Sequence, residues 1–356
     1  MMVVPAPRDP DVTRDILTRW LGDQARLPGA RITALQTPEF TGFSSEMLML
    51  DVEHDGGAEA LAVRVAPLHY QVFPEPRFAE QYRLMRILDT ETDIPVPPVR
   101  WYEPDPGHLG APFVVMQRID GRVPPDSPPY HTGGWVTEIT PAERAAMWWS
   151  GLDIVARLHK LDAGTLDLGF LDQPHWGKVG LEQRLAYYEH YMNWAYPGPK
   201  PTATRALAWL KEHRPDEPNA PVLLWGDARI GNMIFAPGGT PVAVLDWETA
   251  TFGQAEEDLA WYLFLDRHHS EGLEVPPLEG FPPAAETIAR YEELAGRPMR
   301  HMGWYEVLSA FKFTVIMSRI SQAMIEWGWL EPDSDFPYNN NCSRLTDVIL
   351  EGLEQP

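Results

Sequence analysis

Cysteine is almost missing from this chain: one residue, Cys342, in 356. A lone thiol excludes an internal disulfide and any metal site built from clustered cysteines. Positive charge is also scarce. Lys and Arg number 29 against 51 Asp and Glu, a formal charge of −22, and such a surface repels phosphate backbones and anionic lipid. Nucleic acid is therefore not an expected partner. The opening residues, MMVVPAPRDPD, lack the basic start and apolar run of a signal peptide. No stretch reaches the roughly 18 uncharged apolar residues of a membrane span. The most apolar window, residues 307–320, is broken by Lys312 and Arg319. These shortages predict a soluble, cytoplasmic protein without membrane insertion.

What the chain has in quantity is apolar residues, 44%, enough for a sizeable core, and 36 prolines, which imply long loops around it. Its length exceeds an average domain of about 100–200 residues and falls short of three. Hydrophobic periodicity predicts a helix over 11–21, strands over 45–52 and 60–65 joined by His54-Asp55-Gly56-Gly57, a helix over 78–88 and a strand over 113–117. The Pro-rich segment 122–130 is the candidate hinge. Beyond it the pattern turns mainly helical, over 141–161, 181–194, 202–212, 255–265, 283–295 and 304–327. One small β element, residues 222–225, 233–235 and 242–245, interrupts the helices. There is no internal repeat. The expectation is an α+β chain with a small β-rich lobe over 1–118 and a larger helical lobe over 119–356.

Residues 223–258 carry the chemistry. They read Leu-Leu-Trp-Gly-Asp-Ala-Arg-Ile-Gly-Asn-Met-Ile-Phe, then a turn, then Val-Ala-Val-Leu-Asp-Trp-Glu. If 233–235 and 242–245 pair as an antiparallel hairpin, the ends opposite the turn lie side by side. Asn232 enters one strand there and Asp246 leaves the other. Asp227, on a loop relaxed by Gly226 and Gly231, looks across at the same point. Two carboxylates and an amide oxygen converging in this way suit Mg²⁺, a hard cation that prefers oxygen ligands.

The spacing is that of a kinase catalytic loop, D-x-x-x-x-N, followed by a strand-end Asp. With Trp225-Gly226-Asp227-Ala228-Arg229-Ile230-Gly231-Asn232, Leu245-Asp246-Trp247-Glu248 and Asp258-Leu259-Ala260-Trp261, the chain resembles the aminoglycoside phosphotransferase/choline kinase family from about residue 30 to 330. It looks closest to the branch that includes the kinase-like domain of some acyl-CoA dehydrogenases. The resemblance implies a protein-kinase-like fold of two lobes with ATP between them, and transfer of the γ-phosphoryl of Mg-ATP to a hydroxyl of a small-molecule acceptor. Asp227 is then the catalytic residue that orients the hydroxyl and accepts its proton, and Asn232 and Asp246 hold Mg²⁺. Asp258 braces the loop.

The same resemblance assigns the nucleotide site. Arg64, alternating with Val63 and Val65 in a strand, matches the cation that holds phosphates. Glu80 is its expected helix partner, with Gln81 competing for the aligned position. Ser44, in Thr41-Gly42-Phe43-Ser44-Ser45, falls where a phosphate loop belongs. Met116, Gln117 and Ile119 fall where backbone groups receive adenine. His159 is expected to be a packed structural residue, and His268 and His269 to lie at the surface. Tyr187, Tyr191 and Trp194 form one helical stripe, either core or acceptor pocket, with Tyr188 about 100° away. One departure stands out: Trp225 replaces the family's usual His before Gly-Asp. That change and the sparse glycines of residues 41–45 leave a rival open, a nucleotide-binding pseudokinase with a regulatory or scaffolding role. A serine hydrolase is excluded, because no G-x-S-x-G elbow occurs.

Overall fold

A computed structural model of the chain describes residues 8–23, 26–37, 45–68, 70–217 and 219–354. The first half builds an antiparallel sheet from β1 (Arg31–Gln36), β2 (Glu46–His54), β3 (Gly57–Val65), β4 (Val99–Glu103) and β5 (Phe113–Gln117), in the order β1-β2-β3-β5-β4. Alternation along β3 sorts its side chains to the two faces of the sheet. Leu61, Val63 and Val65 pack with Leu48 and Leu50 of β2 against Leu17, Trp20 and Leu21 of α1 (Pro10–Asp23). Ala62 turns the other way and joins Val114 and Met116 in the larger core, beside Leu84, Met85 and Leu88 of α2 (Phe78–Glu91).

After β5 the chain passes through a Pro-rich stretch and the short α3 (Trp135–Glu138) into the helical region. Helix α4 (Pro141–Leu158) starts on a capping box: Thr140 and Glu143 satisfy each other's backbone N–H, and Pro141 fills the first turn. Then come α5 (Leu181–Ala195), α6 (Pro201–Glu212), α7 (Ala255–His269), α8 (Ala284–Ala295), α9 (Met302–Glu326) and α10 (Asn341–Glu354). Helix α9 is central, packing against α5, α6, α7 and α10. Among the described residues, no helix is long and apolar enough to cross a membrane.

Between α6 and α7 lie four short strands: β6 (Val222–Leu224), β7 (Met233–Phe235), β8 (Pro241–Val244) and β9 (Thr251–Gly253). β7 pairs with β8 as the expected antiparallel hairpin, and β6 pairs with β9. The hairpin's open end is closed by Leu245 N–H donating to Asn232 O at 2.8 Å. Three strands, β1, β4 and β9, and helices α3 and α10 were not expected from the sequence. β1 and β4 are the edge strands of the sheet, with irregular burial along each, so neither carries a clean two-residue alternation.

Candidate active site

Asp227 sits on the loop between β6 and a single 3₁₀ turn, Ile230–Asn232. The loop doubles back tightly: Gly226 has φ 86°, and a Cβ there would fall 2.3 Å from the carbonyl oxygen of Thr249, so only glycine fits. Buried Asp258, at the start of α7, anchors the loop, accepting from the backbone N–H of Trp225 (2.7 Å) and Gly226 (2.9 Å) and approaching His159 Nε2 at 3.0 Å. His159 is itself buried. The two histidines of α7 correct the sequence expectation, for His268 and His269 are buried rather than on the surface. Burial pulls their pKa values down to about 4 and about 3, against a weaker upward pull from Asp126. α7 is enclosed nearly all round, and a polar dipeptide gives no sign of that.

Trp225 is fully buried, and it does more than fill space. Its indole Nε1–H donates to the carbonyls of Leu245 (2.9 Å) and Asp246 (3.1 Å), tying the Asp227 loop to the segment that carries Asp246. Asp246 needs such support, since its φ of 57° is left-handed, a conformation that costs a residue with a side chain about 1–2 kcal/mol.

The carboxylate of Asp227 is held at both oxygens. Oδ1 accepts from Trp261 Nε1–H at 2.7 Å; Oδ2 accepts from Asn232 Nδ2–H at 2.6 Å and more distantly from Arg229 Nε–H at 3.4 Å. Arg229 is locked in place by a bidentate pair with Asp126, at 2.7 and 2.9 Å. Burial works against both charges of that pair, and their mutual attraction outweighs it: Asp126 lies below the ordinary carboxylate range and Arg229 above the ordinary guanidinium value.

Arg64 reaches across from β3, 8% exposed. It donates to Asp246 Oδ1 (3.0 Å), Glu248 Oε2 (3.3 Å), Ser45 Oγ (2.9 Å) and Gln81 Oε1 (2.9 Å). Burial opposes its charge, but Asp246 and Glu248 prevail and raise its pKa. Its helix partner is thus Gln81 and not Glu80. One residue is 100° of helix rotation, and Glu80 instead lies in the field of Arg77 and Tyr102.

Arg64, Asp227, Asn232 and Asp246 all line one cavity of about 730 Å³, joined there by Asp126, Arg229 and Glu248. The sheet contributes Met47, Met49 and Met116 to the lining beside Arg64, and α9 contributes Phe313, Ile316, Met317 and Ile320, a continuous stripe. Of the expected adenine segment, Met116 alone belongs to the lining, while Gln117 is exposed with its N–H on Pro98 O and Ile119 is half-buried outside the cavity wall. Ser44 lies outside the described residues. The aromatic stripe of α5 divides unexpectedly: Tyr187 and Tyr191 are core, Trp194 packs on Arg319, and Tyr188 is the one that reaches the cavity.

Asp126, Glu248 and Trp261 have no role in the sequence reading. Glu248 and Trp261 stand inside the quoted motifs, and Gln81 was the weighed alternative. Asp126, 103 residues from its partner, left no local signal.

The fold agrees with that of known proteins. In solved structures, a protein of Ralstonia eutropha assigned as an aminoglycoside phosphotransferase superposes with TM-score 0.67 at 22% identity, over 95% of each chain. The aminoglycoside phosphotransferase APH(4)-Ia, in a ternary complex with ADP and hygromycin B, gives TM-score 0.58 at 14% identity, over 96% of this chain and 99% of that one. Both share the two-lobed, kinase-like α+β fold. Among curated sequences, acyl-CoA dehydrogenase family member 11 of Rattus norvegicus is 27% identical over 269 residues, 73% of this chain and 33% of the relative. The chain spans about a third of the length of the curated relatives it matches. The profile of the phosphotransferase enzyme family (APH) matches residues 41–304, and the chain belongs to that family.

Proposed function

We propose that the protein is a cytoplasmic, ATP-dependent small-molecule kinase. The observation that carries this reading is the meeting of Asp227, Asn232, Asp246 and Arg64 on one cavity wall, drawn from sites as much as 182 residues apart. In the reaction, the acceptor hydroxyl gives its proton to Asp227 as its oxygen bonds to the γ-phosphorus. The bond from that phosphorus to the β–γ bridging oxygen breaks, and ADP leaves. Asp227 is fixed by donors on both oxygens, so it needs little reorientation to meet the hydroxyl. Arg64 faces the phosphates, and Met47, Met49 and Met116 give the adenine an apolar bed. Asn232 and Asp246 supply hard oxygen donors and fit Mg²⁺. When bound, the ion neutralises phosphate charge and orients the β- and γ-phosphates.

The acceptor's body faces the α9 stripe, Tyr188 and Trp261. That wall favours a hydroxyl compound with an apolar part, such as a hydroxyacyl thioester, over a polycationic aminoglycoside. Trp225 was the chief ground for a pseudokinase, and its two hydrogen bonds meet the bracing need that a His serves elsewhere in the family. The test is ADP release from Mg-ATP across a panel of hydroxylated metabolites, wild type beside Asp227→Asn. The amide cannot take the proton, so turnover should fall roughly 10²–10⁴-fold with nucleotide affinity kept. Mg-independent release, or equal rates for the two proteins, sinks the reading.

A further inference from the structure

Behind the catalytic loop the helical region holds a buried charge cluster. Glu257 of α7 is 0% exposed, Lys312 of α9 1% and Arg184 of α5 4%. A single oxygen, Glu257 Oε1, accepts from Lys312 Nζ at 3.0 Å and from Arg184 Nε and Nη2 at 3.0 and 2.9 Å. Two cations share one anion, so a net positive charge is kept away from water. Three well-packed apolar side chains would hold three helices together with less desolvation cost. The cluster therefore calls for a use beyond packing.

Its geometry supplies one. Lys312 Nζ stands 4.6 Å from the ring centroid of Trp261, within cation–π range. Trp261 is itself 3% exposed, forms part of the cavity wall, and gives its N–H to Asp227 Oδ1 at 2.7 Å. A cation over an indole face draws density from the ring and makes the N–H a stronger donor. The line Glu257–Lys312–Trp261–Asp227 thus runs from buried charge to the proton acceptor without a gap.

We propose that Trp261 is the positioning residue for Asp227, its N–H holding Oδ1 while Asn232 holds Oδ2, so that the carboxylate meets the acceptor hydroxyl in one fixed orientation, and that the buried Lys312 charge strengthens the Trp261 bond through the indole ring. The inference rests on the phosphotransferase reading above. Trp261 acts through Asp227, so its removal lowers turnover and spares nucleotide binding.

The probe reaction is ADP release from Mg-ATP with water as acceptor, measured on the full chain beside a Mg-ADP binding titration and a thermal melt. Trp261→Phe keeps an aromatic ring over Lys312 and loses the N–H. Its kcat should fall about 10- to 100-fold, the weight of one hydrogen bond to a charged group, with KM for Mg-ATP within about twofold. Lys312→Met keeps the stem and drops the charge; it should lower kcat by about 3- to 10-fold in wild type and by nothing further in Trp261→Phe. That non-additivity is the signature of one acting through the other. A Trp261→Phe protein with wild-type kcat overturns the proposal, as does one that loses Mg-ADP affinity and melting temperature together with kcat. Additive losses in the double variant overturn the part given to Lys312. A wild-type protein with neither Mg-ADP binding nor Mg-dependent ADP release overturns the kinase reading itself, and this inference with it.

Discussion

Replacing Trp225 by Phe tests how the Asp227 and Asp246 segments are held in register. The ring volume is largely kept, and the lost feature is one N–H shared between the carbonyls of Leu245 and Asp246. Leaving these half-buried acceptors without their donor costs about 1 kcal/mol, the low end of the range for a buried group. The same bond offsets the left-handed backbone of Asp246, φ 57°, which costs about 1–2 kcal/mol on its own. Without the bond, Asp246 relaxes toward an ordinary conformation, and the arrangement competent for the metal becomes about 5- to 30-fold rarer, the factor that 1–2 kcal/mol represents. ADP release titrated against Mg²⁺ should show the half-saturating concentration raised by that factor, with turnover at saturation within about threefold of wild type. The melting temperature should drop by about 1–2 °C per kcal/mol lost in a chain of this length. Trp225→His, which restores a ring N–H, should recover most of the Mg²⁺ dependence. An unchanged half-saturating concentration in Trp225→Phe would refute the reasoning, because Asp246 would then hold its conformation unaided.

Three further outcomes are expected. Asp246→Asn removes one negative oxygen without changing shape, and Mg-dependent turnover should fall on the order of 10²-fold or more; a loss within threefold speaks against Asp246 as a metal ligand. His268 and His269 are neutral in the fold, with pKa values near 4 and 3 against 6.5 when unfolded. Their contribution to stability is complete above pH 6.5 and is lost as pH falls from there toward 4, by about 1.4 kcal/mol per pH unit for each histidine. Denaturant midpoints from pH 7.5 to 4.5 should show this slope, and His269→Gln should reduce it by about half; an unchanged slope rules out His269 as its source. Tyr191→Ala should cost about 3–5 kcal/mol, for the ring is 0% exposed and its hydroxyl donates to Val72 O. A denaturation curve within 1 kcal/mol of wild type would place that ring outside the core.

The readable parts of this site are those whose geometry is local. Asn232 and Asp246 were traceable because a hairpin of two short strands fixes what stands at its open end, and sequence distance there translates directly into adjacency. Arg64 was traceable because a strand has a two-residue period and Val63 and Val65 declare the other face. Where contacts are set by packing between distant segments, the sequence was silent. Asp126 meets Arg229 only because a Pro-rich stretch folds over the Asp227 loop, and Lys312 meets Glu257 only because α9 runs beside α7. Glu80 and Gln81 differ by a rotation finer than apolar periodicity resolves in a 14-residue helix. His268 and His269 were misplaced for a related reason: composition reports polarity, whereas α7 is enclosed by neighbours far away in sequence.

Arg64 carries one more consequence. It projects from the sheet and grips Asp246 and Glu248, which belong to the other half of the molecule. The two halves are thereby clasped through the very side chain proposed to receive phosphate. A nucleotide must win that guanidinium from two carboxylates already in contact with it, so binding at this point is a trade of partners, and part of the intrinsic attraction is spent undoing the clasp. Affinity for triphosphate should therefore understate the strength of the new contacts, and with the guanidinium withdrawn Glu248 and Asp246 should repel each other more strongly until a cation comes between them. In the proposed reaction, nucleotide and metal are in this way coupled through a single arginine.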